Sequence, residues 1–416
     1  MARVTMFLEQ PLRHDTRVEK EAATLTEAGY EVTIIAAMHP DLPREELRDG
    51  VRIVRVDEDP LPSRIVRRIV ARRSGGAAGP PGTVITRESV DRGGARARLL
   101  RAALRVHLRL SARRWSRNAL AAATDARAAL WIAHDLETLP TALRARARLG
   151  GAVLYDSHEF FTDSPLTRGA ARRWERVERR CIGQADAVTT VSGGIARLLA
   201  ERYGVPEPEV LMNVPHAPAA APGDPIDLRR ELSLPEASRV VLYLGGIQQL
   251  RGLDLMIRAI AQRPDLVLVM MGPGSPAYRA ELEALAASEG VGDRIGFLPP
   301  VAPPEIRRYA LGADVGVVMH KGDQYLSYRY ALPNKLFDYL HAGLPVVVSD
   351  LPELGGMVTE NRVGATCDPA SPASIADAID RVTADPALRA NVEAAAPRYT
   401  WEIESRKLLA IAERLT

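Results

Sequence analysis

Cysteine is nearly absent from this 416-residue chain. Only Cys181 and Cys367 occur, far apart and without metal-ligand spacing, which excludes a disulfide framework and a cysteine-based zinc site. Both read as small buried apolar side chains. No apolar run approaches the ~18 residues needed to cross a bilayer, and the N-terminus enters a strand-like segment without a signal-peptide pattern, so a cytoplasmic protein is expected. Aromatics are sparse, at 5%, and the most basic stretch interleaves only Trp115 among its arginines, which argues against a nucleic-acid partner. What is there, 46% hydrophobic and 26% charged residues, is the profile of a globular enzyme.

The net charge of +3 hides an asymmetry. From Arg64 to Arg117 fifteen arginines face only Glu88 and Asp91. Arg101, Arg105, Arg109, Arg113 and Arg117 recur every four residues with Leu100, Leu104 and Leu108 between them, predicting a basic amphipathic helix. Region 64–117 is therefore a candidate for peripheral contact with an anionic membrane at the inner face, set against a simple solvated arginine face. The Gly/Pro-rich segment Ser74 to Gly82 reads as a mobile loop.

Short β-branched runs alternate with longer amphipathic stretches, the pattern of a parallel sheet covered by helices on both faces. One series of strands is expected at Val4 to Leu8, Glu31 to Ala36, Val51 to Val56, Leu130 to Ala133, Ala152 to Tyr155 and Ala187 to Val191. A second follows the Pro/Ala-rich segment His216 to Pro225: Val240 to Leu244, Leu266 to Met271, Ile295 to Leu298, Val315 to Met319 and Pro345 to Ser349. The reading is α/β, with two doubly wound Rossmann-like domains, 1–215 and 216–400, facing a cleft, and a terminal helix 401–416 packing back on the first.

Residues able to carry chemistry cluster after strand ends. Gly245 and Gly246 follow one strand and let backbone approach a ligand, while Arg251 offers forked donors to phosphate oxygens. Gly272 and Gly274 repeat the turn after the next strand. Pro333 suits a helix start, and the amides of Asn334, Lys335 and Leu336 would then sit at a positive terminus that favours a pyrophosphate. Asp338, one turn on, can accept hydrogen bonds from a ribose diol. In the first half, His134 and Asp135 follow one strand, and His158 and Glu159 the next. Asp15 and Arg17 occupy the first strand-to-helix turn, as an acceptor contact or as an N-cap beside a surface arginine.

The segment PNKLFDYLHAGLPVVVSD, with GGIQQLRG before it and YALGADVGVVMH between, resembles the donor half of the GT-B fold glycosyltransferases, most closely family 4. HDTRVEKEAATLTEAGYEVTII, WIAHDLETLP, LYDSHEFF and ADAVTTVSGGI extend the resemblance over nearly the whole chain. It implies transfer from a nucleoside-diphosphate sugar, UDP favoured and GDP allowed, with retention of configuration and no cofactor or metal. The acceptor it implies is a small or lipid-linked molecule. The family's active-site histidine corresponds to His134, with Asp135 beside it. Its two donor-binding glutamates fall on Tyr330 and Asp338, and its Arg and Lys on Gly246 and Arg251, so one acid and one cation are replaced here. Lys335 and Arg329 are the candidates to restore the charge. Two other readings stay open: a specialised-metabolite enzyme using an uncommon donor, and a catalytically idle ligand-binding scaffold.

Overall fold

The computed structural model describes residues 1–13, 15–58, 95–218, 223–322 and 324–416, with the side chains of 95–105 and 303–304 excepted. The expected loop at 74–82, and the part of the basic region before residue 95, lie outside the described residues.

Two α/β sheets form. The first has eight strands: β1 (Arg3–Leu8), β2 (Glu31–Ala37), β3 (Glu45–Arg48), β4 (Val51–Val56), β5 (Leu130–His134), β6 (Ala152–Ser157), β7 (Ala187–Thr190) and β8 (Glu209–Val210). Their order is β3-β4-β2-β1-β5-β6-β7-β8. The second has six: β9 (Arg239–Leu244), β10 (Leu266–Met271), β11 (Ile295–Leu298), β12 (Val315–Val318), β13 (Val346–Ser349) and β14 (Gly364–Cys367), in the order β11-β10-β9-β12-β13-β14. By contacts the chain divides into Met1–Thr190 with Ala196–Glu209 and Ser405–Thr416, and Val191–Ile195 with Val210–Glu404. The last helix, Trp401–Leu415, is thus shared between the two units.

Three strands escaped the sequence reading. β3 alternates exposed and half-buried residues and pairs antiparallel with β4, which itself runs parallel to β2. An edge strand with so little buried surface carries little hydrophobic signal. β8 is only two residues long, and β14 (GATC) is mostly half-buried.

In both sheets strand order reverses beside the first strand: β1 lies between β2 and β5, and β9 between β10 and β12. Crossovers leave opposite faces of the sheet on either side of such a point, so a crevice opens beyond the carboxyl ends of the strands. Val4, Met6, Phe7 and Leu8 are buried to 2% exposure or less, and Phe7 stacks on Trp131 at 5.9 Å. In the second sheet, Val240, Leu242 and Leu244 turn to one helix layer, with Leu336, Phe337 and Leu340, while Val241 and Tyr243 turn to another, with Met256 and Ile257. Successive residues of one strand feed opposite cores, as the two-residue period of a strand requires.

One contact locks the helix Asn334–His341 beneath β9. The Tyr339 hydroxyl, fully buried, donates to Leu242 O at 2.9 Å and accepts from Leu244 N at 2.8 Å. Tyr339→Phe removes both bonds and leaves buried backbone groups without a partner, which costs about 1–3 kcal/mol. Urea unfolding of the variant checks that loss.

The basic helix forms, over Ala95–Ala123. Trp115, Ala119 and Leu120 bury against the first sheet, whereas Val106, Leu108 and Leu110 are exposed. Among the described residues no helix is long and apolar enough to cross a membrane.

Candidate functional site

At the switch point of the second sheet, β9 ends in a turn that the Tyr243 hydroxyl closes by donating to Gly246 O at 2.8 Å. Gly245 has φ +114°, and a Cβ there would lie 3.0 Å from Nζ of Lys335. The glycine therefore supplies both the backbone conformation and the space for the lysine. Gly272, at φ +149°, serves the neighbouring turn differently: a Cβ would collide with the Gly245 carbonyl. Gly274 lies in a bridge with Ile247. The structural role of Gly272 and Gly274 is thus to let two turns pair.

Arg251 Nη1 donates to His320 Nε2 at 2.9 Å, and its guanidinium lies 5.2 Å from the Tyr328 ring centroid. His320, just beyond β12, must present a lone pair at Nε2. Burial, then Arg251 and Lys335, push its pKa down to about 3, so it supports the arginine as a neutral ring. Lys335 Nζ lies 3.7 Å from the Tyr243 ring centroid, a cation–π contact. Burial, then Arg251, hold its ammonium well below the usual lysine range, while Asp338 acts against them. Among the described residues neither Arg251 nor Lys335 forms an ion pair with a carboxylate. Two neighbouring cations, with only Asp338 acting on Lys335 from a distance and no carboxylate in ion-pair contact, favour an anionic ligand.

Pro333 occupies the N-cap, with φ −75° and ψ 143°, and the helix starts at Asn334. Its terminus and Lys335 come to the turn after β9, with Asp338 half-buried one turn on. Leu336 does not belong to this set. Its side chain is fully buried in the core and its amide already donates to Pro333 O at 3.0 Å. Arg329 is exposed and lines a surface groove with Asp350, Pro352 and Glu360, so it does not replace the missing cation beside Arg251. Tyr330 is spent on packing. Its carbonyl accepts from the Ser192 hydroxyl at 2.7 Å and its ring covers Gly194.

The switch point of the first sheet holds a buried ionic network. Arg17, 2% exposed, places Nε 2.7 Å from Oδ2 and Nη2 2.6 Å from Oδ1 of Asp156, a bidentate fork. Thr189 donates to the same carboxylate at 2.8 Å. Burial alone would raise the Asp156 carboxyl; Arg17, then His158, hold it well below the usual range. Arg17 is accordingly no acceptor contact, because its donors are consumed internally. Asp15 is the N-cap of the helix Thr16–Glu27, accepting from the amides of Arg17 and Val18.

His134 ends β5 and is 1% exposed, so it does not present its ring to a bound acceptor. The accessible imidazole is His158. Its Nε2 lies 2.8 Å from Asp156 Oδ2 and 3.2 Å from His134 Nδ1, and its Nδ1 lies 3.4 Å from Asp135 Oδ2. Burial would lower its pKa, but Asp135 and Asp156 push it up to about 9, so it is an imidazolium at neutral pH. Asp135 opens the helix Asp135–Leu149 with φ +62°, a left-handed conformation that costs an aspartate energy and survives where surrounding contacts enforce it. Glu159 is half-buried, and its carbonyl accepts from the Ser157 hydroxyl at 2.9 Å.

The side chains of His134, Asp156 and His158 bring potential ligand atoms within 4.8 Å of one another. Because Asp156 gives both oxygens to Arg17, the charge that a cation would neutralise is already met. Sequence reasoning missed Asp156 and Glu21, which partner Arg17, and His320, Tyr243 and Tyr328, which frame the two cations. The one available signal was position: Asp156 lies near the carboxyl end of β6 and His320 just beyond that of β12. Glu9, just beyond β1, was also missed; burial, then Glu58, push it up to about 8.

Residues 14–216 match the family described as Glycosyl transferase 4-like domain, and residues 225–399 match Glycosyl transferases group 1. The D-inositol 3-phosphate glycosyltransferase of Acidothermus cellulolyticus is 33% identical over 267 residues, 57% of this chain and 58% of that one. That of Nocardia farcinica is 32% identical over 45% of this chain and 42% of its own. The chain thus spans only about half the length of these relatives. Among solved structures, sucrose-phosphate synthase from Thermosynechococcus elongatus matches with a TM-score of 0.73 at 19% identity, covering 100% of this chain and 99% of that one. Anabaena HepE in complex with UDP matches with a TM-score of 0.68 at 14% identity, covering 100% of both. At such identities the likeness speaks for the architecture, which is GT-B. The two matches are consecutive and leave out residues 1–13, 217–224 and 400–416, so along most of its length the chain is similar to a 4-like domain followed by a group 1 glycosyltransferase domain.

Proposed function

We propose that this chain transfers a glycosyl group from a nucleoside-diphosphate sugar to an acceptor hydroxyl with retention of configuration. The observation that carries this reading is the pair Arg251 and Lys335, set without a carboxylate partner beside a helix terminus and a glycine turn. A departing diphosphate needs positive charge and oriented amides where its charge develops. Arg251, braced by His320, Lys335 and the first amides of the helix Asn334–His341 supply them, and Asp338 is positioned to take a ribose diol. UDP is the favoured carrier, GDP the second, and the acceptor is small or lipid-linked. The first unit supplies the acceptor-side groups. Both nitrogens of His158 are engaged by carboxylates, which leaves Asp135, one quarter exposed, with lone pairs for an acceptor hydroxyl. No step of this scheme calls on a metal. The arginine-rich helix, with Val106, Leu108 and Leu110 exposed, supports peripheral contact with an anionic membrane and a cytoplasmic location.

Calorimetry with UDP, GDP and ADP, followed by turnover with the matching glucose donors, tests the reading. At least one diphosphate is expected to bind; failure of all three would sink it and favour the idle scaffold.

A further inference from the structure

Within the first unit, a fully buried carboxylate has no place in the scheme above. Glu21 is 0% exposed, and neither of its oxygens has a hydrogen bond among the described residues. Oε1 lies 3.0 Å from Nε of Arg17, which already forks onto Asp156, so one guanidinium serves two buried carboxylates. The other charged groups facing Glu21 are His134, with Nε2 at 4.0 Å from Oε2, and beyond it His158. His134 Nε2 is itself buried without a hydrogen-bond partner. Glu21 Oε2 and His134 Nε2, each buried without a hydrogen bond and facing one another, are costly unless a proton lies between them.

We propose that Glu21 is a positioning residue for glycosyl transfer: its ionisation selects the tautomer of His134 and thereby sets how His158 is held against Asp135. The chemistry follows from the two ring nitrogens. Ionised Glu21 favours a proton on Nε2 of His134, which leaves a lone pair on Nδ1 to accept from His158 Nε2–H at 3.2 Å. Protonated Glu21 instead donates toward Nε2, so His134 carries its proton on Nδ1 and turns it to Asp156 Oδ2, 3.4 Å away. Only the first state ties His158 down through His134 as well as through Asp156 and Asp135. Burial, then Asp156, push the Glu21 carboxyl up to about 7, against Arg17, His134 and His158. The toggle therefore falls near neutrality.

The activity arm rests on the glycosyltransferase reading; the tautomer arm does not. Nitrogen-15 NMR of the full-length wild-type protein between pH 6 and pH 8 is expected to show His134 moving its proton from Nδ1 to Nε2, and a single unchanged tautomer overturns the proposal. With a turned-over donor, kcat at pH 6 is expected at about one-tenth of that at pH 8, the span of one proton titrating midway. Glu21→Gln flattens that limb, and Glu21→Asp restores a shifted one. A Glu21→Gln variant that keeps the wild-type limb also overturns it. A tautomer change without any turnover would defeat the transferase reading alone.

Discussion

Replacing Arg17 by methionine is expected to destabilise the protein by about 3–5 kcal/mol at pH 8, the range for breaking a buried ion pair from one side. The reason is arithmetic of charge. Asp156 and Glu21 are both 0% exposed, and Arg17 is the cation in contact with both, His158 reaching Asp156 alone. Methionine keeps much of the volume and removes the charge, so both carboxylates are left in a dry interior. They escape by taking protons, which raises their folded-state pKa values above the unfolded ones. Stability of the variant is therefore present at low pH and lost as pH rises through those values. In the wild type the Asp156 carboxyl is depressed, so its contribution is present above the ordinary aspartate range and is lost only on strong acidification. Urea unfolding followed by tryptophan fluorescence at pH 5 and pH 8 should show the gap between variant and wild type widening with pH. A gap that is small and independent of pH would show that Arg17 does not neutralise this pair.

The second large effect concerns the donor. Lys335→Met should weaken binding of the cognate nucleoside diphosphate by about 10–100-fold, since a hydrogen bond to a charged group is worth roughly 1.5–3 kcal/mol. It should barely change stability, because the free protein holds that ammonium under strain, pressed by burial and by Arg251. The same strain predicts proton uptake. A diphosphate stabilises the ammonium that burial and Arg251 disfavour, so above the lowered pKa binding takes up a proton, affinity falls as pH rises and the binding enthalpy varies with the ionisation enthalpy of the buffer. Calorimetry in PIPES and in Tris, neither of which offers a phosphate to the site, reads this directly. Identical enthalpies in both, or full affinity in Lys335→Met, would remove Lys335 from the donor site. Arg329→Met, by contrast, leaves affinity within a factor of two, because Arg329 lines a different groove.

The hydrophobic periods of Val240 to Leu244 and Leu266 to Met271 announced strands because both faces of these strands are buried, and a strand buried on both faces has no polar alternation to blur it. The Gly-rich turns and the Pro333 segment were legible for a related reason: φ beyond +100° at Gly245 and a proline at a helix start are local requirements. β3 and β14 were not, since half-exposed strands carry a diluted pattern. His134 illustrates a different limit. Its place at a strand end was readable and its burial was not, because the pleat of β5 and the helix Thr16–Glu27 decide together which way the ring is enclosed. Arg17 read as an acceptor contact or a helix-surface arginine until Asp156, 139 positions later, arrived beside it.

By itself, then, the order of residues determined most of the strands, that two doubly wound sheets alternate with helices, and that Gly-rich turns and a proline-led helix start sit in the second half. These depend on backbone preference and on the period of apolar side chains, which act within a few residues of one another. Only the tertiary structure decided that His158 and not His134 is the accessible imidazole, that Arg251 leans on His320, and that Glu21 and Asp156 share the Arg17 guanidinium. Such pairings join residues far apart in the chain, and their protonation follows from burial and from the neighbouring charges, quantities that exist only once the sheets have assembled.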